Sequence, residues 1–84
     1  MKHLPTLSDQ QHNALMYIAE YLWEHGYQPL QREIGQHLGI SGNSARLLII
    51  ALESKGYLKR ERKVIRLLHV PGFPYARQIG GKAA

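Results

Sequence analysis

LQREIGQHLGISGNSARLLIIALESKG, residues 30–56, holds two helical patterns joined by a turn a few residues long. The first carries apolar residues at Leu30, Ile34 and Leu38, and the second at Ala45, Leu48, Ile49 and Leu52. Both sets follow the three-to-four residue spacing of a helix with one buried face. Gly39 stands where a left-handed residue ends the first helix without steric cost. Ser41 stands where a hydroxyl accepts from the free amides that open the second. Gly56, with Lys55 beside it, closes that second helix. Helix, tight glycine-containing turn, helix is the pattern of a helix-turn-helix, and its second helix is the one that enters the major groove of DNA.

Working outward, Ser8 and Gln11 form the signature of a capping box, so a helix is predicted from there to His25, with Gly26 ending it. Leu15, Ile18, Ala19 and Leu22 share one face of it. Tyr17, Tyr21 and Trp23 flank that face. They can stack on bases, or cover a small core with amphipathic rings, and their spacing beside the apolar stripe favours the second role. Gly26-Tyr27-Gln28-Pro29 is a connector in which Tyr27 is expected to add a very short strand. The next helix is expected over Gln31 to Leu38. Its N-cap position falls on Leu30, which has no side-chain acceptor, so its first amides are left to water or to a DNA phosphate beside Arg32.

After Gly56 the period changes from helical to alternating. Tyr57–Arg60 and Val64–Leu68 read as two strands of a β-hairpin, with Glu61-Arg62-Lys63 between them. Its turn type stays open, because the tip lacks Gly and Asn. Lys59, Arg60, Arg62, Lys63 and Arg66 crowd this hairpin, with Glu61 the one acid among them. Attached to three helices, such a unit is a basic wing. The expected fold class is therefore mainly α with a small antiparallel hairpin, a winged helix-turn-helix. Residues 1–7 are a lead-in, 8–68 the domain, and 69–84 a Pro- and Gly-containing tail, partly disordered. In that tail Phe73 and Tyr75 are expected to dock on the domain or on a second copy.

Charge points the same way. Residues 1–45 set Lys2 and Arg32 against Asp9, Glu20, Glu24 and Glu33, a balance of −2. Residues 46–84 set nine Lys or Arg against Glu53 and Glu61, a balance of +7. A polyanionic partner for the second half fits this asymmetry, and so does a plain basic surface. With 84 residues, one domain with a small core is expected. Cysteine is absent, which removes disulfides and thiolate metal sites. His3, His12, His25, His37 and His69 lack ligand spacing, so no metal is expected. No nucleophile elbow or Gly-rich phosphate loop occurs, so neither an enzyme nor a cofactor or small-molecule ligand is expected. No apolar run reaches a bilayer span and no signal peptide opens the chain, so the expected address is the cytoplasm of a bacterial cell or phage-infected host.

The candidate base-reading residues are Ser41, Asn43, Ser44, Arg46 and Leu47. Asn bonds two edges of adenine, Arg two acceptors of guanine, and Leu47 can rest on thymine methyls. The candidate phosphate contacts are Arg32, Lys59, Arg60, Arg62 and Lys63, which add affinity but little sequence information. The bland alternatives are cap residues at 41–44 and a charged edge that discourages strand pairing between molecules. Leu47 through Leu52 resists a plain DNA reading, because it is continuously apolar and projects Leu47 and Ile50 from the face meant for DNA. The expected function is sequence-specific binding of double-stranded DNA by a transcriptional regulator, a repressor. The alternative is an accessory or phage-type protein-interaction module on the same fold, binding a partner protein or itself through Leu47 and Ile50.

These residues also carry a family resemblance. L-S-D-Q-Q (Leu7–Gln11), G-Y-Q-P (Gly26–Pro29), R-E-I-G-Q-H-L-G (Arg32–Gly39) and L-E-S-K-G-Y-L (Leu52–Leu58) resemble the N-terminal winged-helix DNA-binding domain of LexA-type SOS repressors. The similarity runs over about residues 4–68, and G-Y-x-P followed by R-E-I-x-x-x-L-G is its most specific part. It implies three helices, a small antiparallel sheet and operator binding as a dimer. That family reads bases with a pattern like S-P-N-A-A-E-E at the start of the third helix. Ser41 and Asn43 match it, whereas Gly42, Ser44, Arg46 and Leu47 depart from it, so a different operator is expected. The family usually carries Ser or Thr where Leu30 stands. LexA-type repressors also have a C-terminal self-cleaving serine protease domain that dimerises them. These 84 residues contain no counterpart, so induction by self-cleavage is not expected, and dimerisation falls to the tail or to Leu47 and Ile50.

Overall fold

The computed structural model describes residues 4–71. Phe73, Tyr75 and the end of the predicted tail lie outside the described residues, as do Met1 to His3. Helices α1 (Asp9–His25), α2 (Gln31–Leu38) and α3 (Gly42–Ser54) precede strands β1 (Leu58–Glu61) and β2 (Val64–Leu67). This is the predicted winged helix-turn-helix, three helices and a two-stranded antiparallel hairpin.

Each helix end is set by nearby residues. At α1 the Ser8 hydroxyl accepts from the Gln11 amide at 3.2 Å, and the Gln11 side chain accepts from the Ser8 amide at 3.0 Å. Gly26 closes α1 in the left-handed region, at φ +81°. Gly39, at φ +74°, closes α2 and lets the Ile40 amide reach the Gly35 carbonyl at 2.8 Å. Ser41 caps α3, its hydroxyl accepting from the Ser44 amide at 3.0 Å. Leu30 supplies no acceptor to α2, but the Glu33 carboxylate takes the Leu30 amide at 2.8 Å, so half of a capping box survives.

The core gathers one apolar face from every element. Leu15 and Ile18 of α1, Ile34 of α2, Ile49 and Leu52 of α3, and Leu58 of β1 are its largest fully buried side chains. Each contributes on the order of 1.5–3 kcal/mol by leaving water. Gly35 sets the angle of the helical corner. A Cβ there would lie 2.6 Å from the Ile40 carbonyl oxygen and 3.0 Å from that of Ser41, so any side chain would push the turn away from α2.

The lead-in is pinned rather than loose from Leu4 onward. The Tyr57 hydroxyl donates to the Pro5 carbonyl at 2.6 Å. The Lys55 ammonium donates to the Thr6 carbonyl at 2.8 Å and to Gln11 Oε1 at 2.6 Å, joining the end of α3 to the start of α1. On α1, Tyr17 and Tyr21 are half-buried beside the apolar face. Tyr17 stacks on His37 of α2 at 4.1 Å between ring centres. Burial first, and then the Glu33 charge, raise the Tyr17 phenol above its ordinary pKa.

Three sequence expectations are corrected. The first strand starts at Leu58 and the second ends at Leu67, one residue inside each predicted outer boundary. The loop is two residues rather than three, because Glu61 pairs with Val64. Tyr27 forms no strand, and the sheet has two strands only among the described residues. The reason appears at Gln28, whose side chain takes the hydrogen bonds a third strand would have made.

Candidate nucleic-acid interface

The exposed half of α3 and the wing flank one cleft. Its volume is about 620 Å³, and Arg46, Arg60, Arg62 and Lys63 stand around a floor that includes Pro29, Ile49 and Ile65. The structure thus brings one predicted base-reading residue together with three predicted phosphate contacts.

On α3, Asn43 and Arg46 are both exposed, and an Arg46 guanidinium nitrogen donates to Asn43 Oδ1 at 3.2 Å. This bond pre-orients two planar, multiply bonding groups on one ridge of the helix. Ser41 and Ser44 are bonded to each other and to the helix start. The Ser41 hydroxyl caps the helix and also donates to the Ser44 hydroxyl at 3.0 Å, and Ser44 is half-buried. Leu47 is 52% exposed, whereas Ile50 is half-buried. Arg32, exposed in the first turn of α2, passes close to Gly42, where a Cβ would meet its Cα at 4.0 Å. It therefore sits at the start of α3.

The wing's basic residues divide by strand face. The register pairs Lys59 with Arg66 and Arg60 with Ile65, so Lys59 and Arg66 share the face away from the core and Arg60 shares that of buried Ile65. Lys59 pairs with Glu61 at 3.3 Å on the exposed surface. Arg60 is held inward instead. Its Nε lies 3.5 Å from a Glu53 oxygen, and its backbone amide donates to the other Glu53 oxygen at 3.2 Å. Arg62 and Lys63 form the tip, at φ +53° and +69°. Positive φ at both central residues of a two-residue loop gives the turn the twist a hairpin prefers, usually at the hands of Asn and Gly. Two long cationic residues hold it here, against the sterics that disfavour side chains in this region.

Sequence reasoning missed Gly35, Gln28 and Glu53. Gly35 carried a signal, since a glycine inside a helix costs stability unless backbone must come close. Gln28 and Glu53 carried none, because their partners lie elsewhere in the chain. Among the described residues no helix is long and apolar enough to cross a membrane, and no group of three or more His, Cys, Asp or Glu is arranged to hold a metal ion.

The family described as the LexA DNA binding domain matches residues 4–66. The chain belongs to the LexA DNA-binding domain family. The matched region is a regulator's DNA-binding domain and not a catalytic one. Similar proteins include the LexA repressor of Sorangium cellulosum, 46% identical over 76 residues, which cover 89% of this chain and 33% of that protein. The LexA repressor of Thermotoga petrophila is 39% identical over 64 residues, covering 76% of this chain and 32% of its own. That of Thermobifida fusca is 36% identical over 83 residues, covering 92% and 33%. The chain spans about a third of the length of these LexA repressors.

Proposed function

We propose that this LexA-type domain binds duplex DNA sequence-specifically as a transcriptional repressor. Asn43, Arg46 and Leu47 meet base edges in the major groove while Arg62 and Lys63 grip phosphates beside it. Arg32 and Lys59 add outer phosphate contacts, Ser41 and Ser44 shape the tip of α3, and Arg60 fixes the root of the wing. The protein works in the cytoplasm, where a second copy on a half-site one helical turn away completes the operator complex.

The wing tip carries this reading. Arg and Lys stand at two left-handed positions where Asn and Gly are cheaper, on the rim of a cleft that borders Arg46. Backbone strain kept for the sake of two charges is a mark of function rather than of folding. A second reading is favoured by the exposure of Leu47, which suits a protein-binding face as well as thymine methyls.

Selection of bound duplexes from a random pool, followed by titration at several salt concentrations, decides between the two. DNA reading predicts an enriched motif and a log–log salt slope set by several neutralised phosphates. Arg46→Ala should lose about 1–3 kcal/mol at the base pair it reads and relax preference there. Retention of no duplex in dilute buffer would sink the reading. A partner-protein complex abolished by Leu47→Glu would then establish the other.

A further inference from the structure

The wing is a two-stranded ribbon, and both of its outer edges are satisfied at the same rung. Glu61 and Val64 flank the two-residue turn, so they form the hydrogen-bonded closing pair. Arg60 and Ile65 are the next pair, and in an antiparallel ladder their amides point outward, away from each other. The Arg60 amide is taken by Glu53 of α3 at 3.2 Å. The Ile65 amide donates to Gln28 Oε1 at 2.7 Å. The same Gln28 side chain donates through Nε2 to the Lys63 carbonyl at 2.8 Å.

A carbonyl and an amide two residues apart on one strand edge are what the N–H and C=O of a single residue in a neighbouring parallel strand pair with. The Gln28 carboxamide therefore takes the place of the backbone N–H and C=O of one residue in a third strand. Pro29, buried next to it, holds the Gln28 backbone out of helical geometry and so aims the side chain toward β2. Lys63 is one of the two strained residues of the tip, so the carboxamide fastens the wing at the point where its backbone is least at ease.

We infer that Gln28 is a positioning residue that locks the wing tip to the entrance of α2, so that Arg62 and Lys63 stand at a fixed distance from the base-reading ridge of α3. The inference rests on the DNA reading above, but the latch and its consequence are separable. Without Gln28, Glu53 still holds the root of the wing while the tip swings free. Base reading by Arg46 then persists, and the tip no longer grips phosphate.

The test uses the full chain with Gln28→Ala, which removes both bonds, and Gln28→Glu, which keeps the acceptor for Ile65 and loses the donor to Lys63. Amide hydrogen exchange read by NMR should show Ile65 exchanging about tenfold faster in Gln28→Ala, less so in Gln28→Glu, and accelerated more than Ile49 and Leu52. Duplex affinity of Gln28→Ala should fall about three- to tenfold for all sequences alike, with the salt slope reduced by about 1 for each phosphate the tip releases. Unchanged Ile65 exchange in Gln28→Ala overturns the latch. Faster Ile65 exchange with an unchanged salt slope overturns its positioning role. A wild-type chain that binds no duplex removes the DNA reading and the positioning role together, while Ile65 exchange still decides whether the latch exists.

Discussion

The corner between α2 and α3 and the tip of the wing are both tight reversals, and they are built on opposite plans. The corner uses neighbours in sequence. Gly39 takes the left-handed position, Gly35 makes room for the turn, and Ser41 caps the helix that follows. The wing uses residues from elsewhere. Its left-handed positions fall to Arg62 and Lys63, and its edges are held by Gln28 and Glu53. The corner is arranged for stability at each position. The wing gives up local stability to put charge at its tip and is held up by the rest of the domain.

Breaking the corner should therefore destabilise the whole domain, and the largest effect is expected at Gly35. Gly35→Ala would improve the intrinsic helix propensity of α2 by up to about 1 kcal/mol. Its Cβ would, however, sit 2.6 Å from the Ile40 carbonyl oxygen, which is backbone and has no rotamer to escape into. Overpacking of this kind typically costs on the order of 1–3 kcal/mol. Urea or thermal unfolding should show a net loss despite the better helix former. A stabilised variant would mean that the corner is looser than its geometry states.

Ser41→Ala comes next. Its hydroxyl accepts from the Ser44 amide, so removing it should cost about 1 kcal/mol, a fall of several degrees in midpoint for a domain of this size. If the cap is its main task, sequence preference in DNA selection should stay the same. A changed motif at unchanged stability would reverse the assignment and return Ser41 to the base-reading set.

The contrast between corner and wing also explains which parts could be read from sequence. Caps, glycines and apolar spacing act within a few residues, so α1, α2 and α3 were legible to within about a residue at each end. The hairpin was legible as alternation, but its ends and its turn were not. Nothing in Arg62-Lys63 announces a left-handed pair, since side-chain type there opposes the conformation. The missing strand at Tyr27 has the same origin. Alternation cannot tell a strand residue from the Gln28 carboxamide that stands in for its N–H and C=O, 37 residues from Ile65. At the candidate site, Asn43 and Arg46 stand out on α3 as their spacing implied. Arg60 looked like its neighbours in sequence and is distinguished only by the Glu53 carboxylate that folding brings to it.

The smallest expected change is the most telling, because it moves two measurements in opposite directions. Lys63 sits at φ +69°, a region where a residue with a Cβ is strained by about 1–2 kcal/mol and glycine is at ease. Glycine also gains freedom in the unfolded chain, which offsets part of that relief by roughly 0.5–1 kcal/mol. Lys63→Gly should thus stabilise the domain by several tenths of a kcal/mol to about 1 kcal/mol, visible as a rise of a few degrees in midpoint. The gain should register in global unfolding because Leu58 and Ile65 tie the hairpin into the core. Duplex affinity should fall at the same time, with the salt slope lower by about 1, since one phosphate is no longer neutralised. A gain in stability with no loss of DNA binding would show that the charge at the tip is incidental. The strain would then have no function to explain it, and the contrast between the two turns would be one of sequence history alone.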